Sequence, residues 1–212
     1  MPAGSPRPLQ QPPRAERRTL LARHFVEAVE PLLEAGETYA DISVERLIKA
    51  VDISRSTFYV YFDDKGDLLG AMAQDVTRDL AQAGSGWFEF PVDATKDDLR
   101  EAIRPLFETY RRHQLLLGAI TEAAAYDPRV REQHLALVGQ AVDGLKAQIE
   151  LQQRAGGAPA ELDAQRTALW LTWMHERGLY QMVPSASARE VHKLLDAMVD
   201  LVWRTLYAGF HD

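Results

Sequence analysis

Ser54-Arg55-Ser56-Thr57 sets one guanidinium among three hydroxyls at the start of a short helical stretch. An arginine placed there can bond a guanine edge through two N–H groups, hydroxyls reach bases or phosphates, and short side chains let a helix approach a groove closely. Tyr59, Tyr61 and Lys65 follow at positions able to bond phosphates on the flank, and Ser43 heads the short helix before. Upstream, Arg7, Arg14, Arg17, Arg18 and Arg23 stand against Glu16 alone within residues 1–26, a basic arm beside the same unit. The chemistry these residue types offer is recognition of double-stranded DNA.

Other chemistry finds little support. Cysteine is absent, so disulfides, thiol nucleophiles and cysteine-based metal sites are excluded. His175 beside Glu176 invites an acid–base or metal reading, yet no second ligand sits at a useful spacing and no HExxH pair occurs. Gly84-Ser85-Gly86 is followed by Trp87, Phe88 and Glu89, which fails the dinucleotide pattern where the third glycine belongs, and no Walker loop or G-x-S-x-G elbow is found. No enzyme, cofactor or metal is expected. The 212 residues, 46% apolar and 26% charged, suit a globular protein whose core needs no covalent staple. A net charge of -7 argues against a surface coated all over in nucleic acid, which leaves local charge to decide. No apolar run reaches the roughly 18–20 residues of a bilayer span. Residues 1–13, rich in Pro and Gln, read as a disordered tail rather than a secretory signal, and a cytoplasmic location is expected.

The elements that must position these residues are all α, because apolar residues recur at helical spacing and no stretch alternates as a strand does. A first helix is predicted over 15–35, with Leu21, Phe25, Ala28, Val29, Leu32 and Leu33 inward, Gly36 past its end and a kink or new segment at Pro31. Ser43 and Ser54 are candidate caps of two short helices separated by the tight turn Val51-Asp52-Ile53. Asp64 with Asp67 marks the start of a longer helix to about Ala83. Residues 84–93 read as a loop anchored by Trp87, Phe88 and Phe90. Further helices are predicted at 96–112, 113–126, 128–154, 161–183 and 187–207, the third with an inward stripe Leu135, Val138, Val142, Leu145, Ile149. The fourth is apolar on more than one face, as expected of a helix meeting both a core and a partner, and Trp203 is expected at a dimer seam.

The run Asp41-Ile42-Ser43, Leu47-Ile48, Val51-Asp52-Ile53-Ser54-Arg55-Ser56-Thr57-Phe58-Tyr59-Val60-Tyr61-Phe62, Lys65 and Leu68 resembles the DNA-binding domain of TetR-family transcriptional regulators over about fifty residues. The resemblance implies an all-α homodimer with an N-terminal helix-turn-helix domain, taken as residues 14–65, and a larger ligand-binding and dimerisation domain, taken as 66–212. Two positions depart from the family pattern. Asp52 stands where the turn usually has Gly, and can still adopt a left-handed backbone. Ile48 replaces a small Ala, so packing against the next helix must adjust.

The segments 168–180 and 201–207 resemble the ethionamide-resistance-repressor branch of that family, known from mycobacteria. That likeness implies an apolar channel faced by Thr172, His175 and Tyr180, with Leu99, Ile103, Leu106 and Tyr110 across it and Leu135 and Val142 beside it. Thr172 and His175 stand where the relative has amides, so the polar anchor differs. The expected partners are an operator duplex, a second copy of the chain and a small apolar effector, with no membrane. The reading is a repressor released from a palindromic operator. The alternative is a small-molecule binding or carrier protein with a vestigial helix-turn-helix.

Overall fold

The computed structural model describes residues 13–207, and among them every regular element is an α-helix. Twelve residues of the expected tail, with Arg7, lie outside the described residues. The helices are α1 (Arg14–Glu34), α2 (Val44–Ala50), α3 (Arg55–Tyr61), α4 (Lys65–Ala83), α5 (Ser85–Phe88), α6 (Lys96–Tyr126), α7 (Pro128–Ala155), α8 (Ala164–Met182) and α9 (Ala188–Leu206). None is long and apolar enough to cross a membrane.

Local chemistry sets most of the boundaries. Ser43 accepts the backbone N–H of Arg46, Ser54 that of Thr57, Asp64 that of Asp67, Asp163 that of Arg166 and Ser187 that of Glu190, so each cap satisfies a donor the helix itself leaves open. Thr95 and Asp98 form a reciprocal capping box at the start of α6. Gly36 and Gly156 end α1 and α7 in left-handed backbone that glycine adopts without a steric cost.

Three expectations need correction. The predicted break between residues 112 and 113 does not occur: α6 is one helix of 31 residues. Phe107, Tyr110, His113, Leu116, Ile120 and Ala123 continue one buried face through that point, and no capping residue interrupts it. Of the two outcomes expected at Pro31, a kink or a new segment, the new segment does not occur, since α1 runs on to Glu34. The stretch 84–93 is not wholly a loop, because Ser85–Phe88 form a helical turn that buries Trp87.

Two apolar cores result. Phe25, Phe58 and Phe62 meet at ring-centroid distances of 5.5–6.1 Å, and around them close Ile42, Leu47, Leu68, Met72 and Val76. Leu116, Ile120 and Ala123 from the second half of α6 belong to this core, so the short helices rest on α6 as well as on α4. Trp87, Phe90, Leu99, Ile103, Phe107, Leu145, Ile149, Leu195 and Val202 build the second core. Leu80 of α4 and Leu117 of α6 touch both. Ile48, larger than the family pattern, is accommodated half-buried at the edge of the first core.

Candidate nucleic-acid interface and effector cavity

The front of α3 is built from its cap outward. The Ser54 hydroxyl accepts the Thr57 N–H at 3.0 Å and lies 2.8 Å from both the Ser56 and Thr57 hydroxyls. Ser54 is thereby committed to the helix end, while Ser56 is exposed and Thr57 partly so. Phe58 turns inward with no exposure, which fixes the opposite face of the helix outward: Arg55, Ser56, Tyr59 and Val60 are exposed. The Arg55 guanidinium lies 5.6 Å from the centroid of the Tyr59 ring and pairs with Glu45 of α2. Both partners are well exposed, and such a surface pair contributes about 0–1 kcal/mol, so a guanine edge or a phosphate can displace Glu45 at little cost. Asp52 in the turn has φ 52°, the left-handed conformation expected of it.

Several predicted contact residues serve the helix instead. Arg14 donates to the Val60 carbonyl, and Arg18 donates to the Tyr61 carbonyl at 3.1 Å and to Asp67 at 2.6 Å. Both place positive charge at the C-terminus of α3, where unpaired carbonyls and the helix dipole favour it. Arg17 and Tyr61 are half-buried. Ser43 caps α2 and remains exposed. The flank contact expected of Lys65 is replaced by an internal one. Its ammonium donates to the carbonyls of Tyr39, Ala40 and Ile42 at 2.9, 2.7 and 3.0 Å, all three protons spent on the segment just before α2, and burial lowers its pKa. The Tyr39 hydroxyl returns a bond to the Lys65 carbonyl at 2.8 Å. Arg46 and Lys49 of α2, exposed beside α3, were not picked out in the sequence, although a first helix crossing the backbone is where phosphate contacts belong.

The expected channel residues do not line a single cleft. Leu99, Ile103, Tyr110 and Val142 lie inside the second core, Leu106, Thr172 and Tyr180 are half-buried, and Leu135, expected inward, is 48% exposed. Two clefts occur. One, of about 190 Å³, lies between α8 and α9 over Phe107 of α6, lined by Met174, His175, Leu179, Met198 and Leu201 among others. His175 is its polar feature. The ring packs edge-on against Trp87 at 5.4 Å, and its Nε2 is enclosed without a hydrogen-bond partner. Burial pushes its pKa down to about 4, which keeps the imidazole neutral at pH 7. The other cleft, of about 320 Å³ between α7 and α8, collects Leu135, Val138, Val142, Asp143, Leu169 and Trp173. Glu176 faces His134 of α7 at 3.5 Å, away from the Trp87 side of its neighbour His175, so the two do not form an acid–base pair.

Sequence reasoning also missed Gln148 and Gln152, buried one turn apart on α7 and both donating to the Phe90 carbonyl, at 3.1 and 2.6 Å. The signal was available: they flank Ile149 on the inward stripe.

The comparisons agree with this geometry. The family described as "Transcriptional regulator EthR, C-terminal domain" matches residues 99–208, and "Bacterial regulatory proteins, tetR family" matches residues 35–72. The HTH-type transcriptional regulator EthR of Mycobacterium tuberculosis H37Rv is 31% identical over 193 residues, covering 87% of this chain and 86% of its own. The regulator of the same name from Mycolicibacterium smegmatis is 32% identical over 150 residues, 69% of this chain and 67% of its own. Crystal structures assigned to TetR-family regulators from Mesorhizobium loti and Rhodococcus sp. superpose with TM-scores of 0.70 and 0.68, at 16% and 19% identity. They cover 93% and 89% of this chain and 100% and 98% of theirs, and show the fold.

Proposed function

The chain belongs to the TetR family of bacterial transcriptional regulators, and from that premise we propose that it is a homodimeric repressor released from a palindromic operator by a small, mainly apolar effector. The observation that carries the DNA half of this reading is the front of α3, where Arg55, Ser56, Thr57 and Tyr59 stand outward on a helix clamped from behind by Phe58, Arg14 and Arg18. Arg55 reads a base edge, Tyr59 and Ser43 bond phosphates, and Arg46 and Lys49 add backbone contacts from α2. The reading unit, residues 14–65, sits in the major groove, and the two-fold axis of the dimer sets half-sites about 34–36 Å apart or a multiple of that.

Residues 66–212 supply effector binding and dimerisation. The cleft beside His175 is the effector site, with the neutral imidazole as hydrogen-bonding anchor in an otherwise apolar wall. At about 190 Å³ it falls below the roughly 300–1,000 Å³ of drug-sized pockets, so the effector enlarges it, and the mobile side chains Met174, Met182 and Met198 are what yield. Widening between α8 and α9 reaches the DNA-reading unit through α6 and α7, which pack on α4, with a coupling of about 1–3 kcal/mol.

The test is a fluorescence-anisotropy titration of the chain against DNA upstream of its own gene, with a shuffled duplex as control, at two salt concentrations. Tight, salt-dependent preference for the native duplex supports the reading. The Arg55→Ala variant should lose about 1–3 kcal/mol on that duplex and little on the shuffled one. Equal weak binding to both, followed by failure to recover a preferred site from genomic fragments, would leave a small-molecule binding protein.

A further inference from the structure

At the seam between the two cores, charged side chains tie α1 both to α4 and to α6. Arg23 of α1 donates to Asp75 of α4 at 3.1 and 3.3 Å and to Asp79, one turn further, at 3.3 Å. Asp79 comes within 3.8 Å of Nε2 of His113 on α6, too far for a hydrogen bond, and that nitrogen is buried without a hydrogen-bond partner. Nδ1 of the same ring meets Glu30 at 2.5 Å, and Glu30 stands on α1 two turns along from Arg23. Arg78 holds the second side of Asp75 at 2.8 Å. Asp75 and His113 are buried, and the Glu30 side chain is largely so.

A buried charge that loses its partner is costly, so Arg23 resists sliding of α1 on α4, and Glu30 with His113 resists sliding of α1 on α6. One residue of travel along α4, about 1.5 Å, would draw both Asp75 and Asp79 from Arg23. The network also joins the cleft to the reading helix by a route other than α4. Phe107, the floor of the cleft, lies on the same continuous helix as His113, six residues before it. His113 grips Glu30 on α1, and α1 carries Arg14 and Arg18, which hold the last carbonyls of α3.

We propose that His113 is a positioning residue for DNA recognition, seating α1 on α6 through Glu30 and thereby setting where the reading helix stands relative to the dimer axis. This inference rests on the DNA-reading function above, and adds a route from α6 through α1 to the route through α4. Its signature is geometric: base recognition is left intact, whereas the tolerance for half-site separation is widened.

The experiment uses the full chain and the duplex selected from genomic fragments, rebuilt with its half-sites moved together or apart by one base pair, and a duplex carrying one half-site. Wild type should favour the native separation at least about tenfold over either shifted duplex, because one base pair displaces a half-site by about 3.4 Å and rotates it by roughly 35°. His113→Leu and Glu30→Gln should each shrink that ratio to under about threefold with single-half-site affinity unchanged. His113→Gln, whose amide can still donate to Glu30, should recover most of it. Arg55→Ala provides the contrast, weakening all duplexes together. The proposal is overturned if His113→Leu and Glu30→Gln keep the wild-type separation ratio, or if they merely weaken every duplex as Arg55→Ala does. Should His113→Leu fail to fold, Glu30→Gln alone decides, since it keeps the side chain's size and removes the charge that holds the imidazole. A wild type that prefers no sequence at all overturns the DNA-reading function, before any variant is compared.

Discussion

At the scale of single residues, two side chains hold states that cost stability. Asp52 sits at φ 52°, where an L-residue costs about 1–2 kcal/mol relative to right-handed backbone. Asp52→Gly should remove that cost and lose about 0.4–1 kcal/mol to a freer unfolded chain, a net gain of roughly 0.5–1 kcal/mol measurable by urea denaturation. His175 behaves oppositely with pH. Its folded pKa of about 4 lies below the 6.5 of a free imidazole, so between those values the unfolded chain binds the extra proton. Its contribution is therefore whole above pH 6.5 and falls away toward pH 4, by up to about 3 kcal/mol. Denaturation at pH 4.5 and 7.5 should show a smaller difference for His175→Gln than for the parent, and identical differences would refute the buried, neutral ring. Among the residues singled out from sequence, type and spacing identified the front of α3 because an outward polar face follows from the inward Phe58. They did not reveal that Lys65, Arg14 and Arg18 bond backbone carbonyls, since a carbonyl leaves no mark in the sequence.

Among elements, caps made the short helices legible: Ser43, Ser54 and Asp64 all accept the backbone protons their positions implied. Long helices were harder. Helix α6 reads as two because Arg111, Arg112, His113 and Gln114 interrupt the apolar run, and only tertiary pairing explains why His113 nevertheless belongs inside. The proposed effector site was the least legible part. Leu135 continues the apolar stripe, yet it is 48% exposed, in the cleft left between α7 and α8. Pattern alone tells which face of a helix is apolar; which neighbour covers it depends on how helices cross, and that is set by contacts far apart in sequence. For the same reason the expected channel divided into a cleft between α8 and α9 and another between α7 and α8.

For the whole molecule, the apolar residues left uncovered on α8 and α9 bear on assembly. Trp170 is 77% exposed, and Leu169, Met174, Met182 and Leu201 are also exposed, a set that a second copy would bury. Trp170→Glu should convert a dimer to a monomer in sedimentation at micromolar concentration and abolish the preference for paired half-sites, while leaving the helix content unchanged; a dimer that persists would place the two-fold contact elsewhere. On the reading proposed above, the cleft between these two helices also governs time. At about 190 Å³ it is smaller than the roughly 300–1,000 Å³ of drug-sized pockets, so the proposed effector would wait for α8 and α9 to part. Induction would then be clocked by the protein's own breathing rather than by collision, so that adding more inducer hastens the response only up to a ceiling.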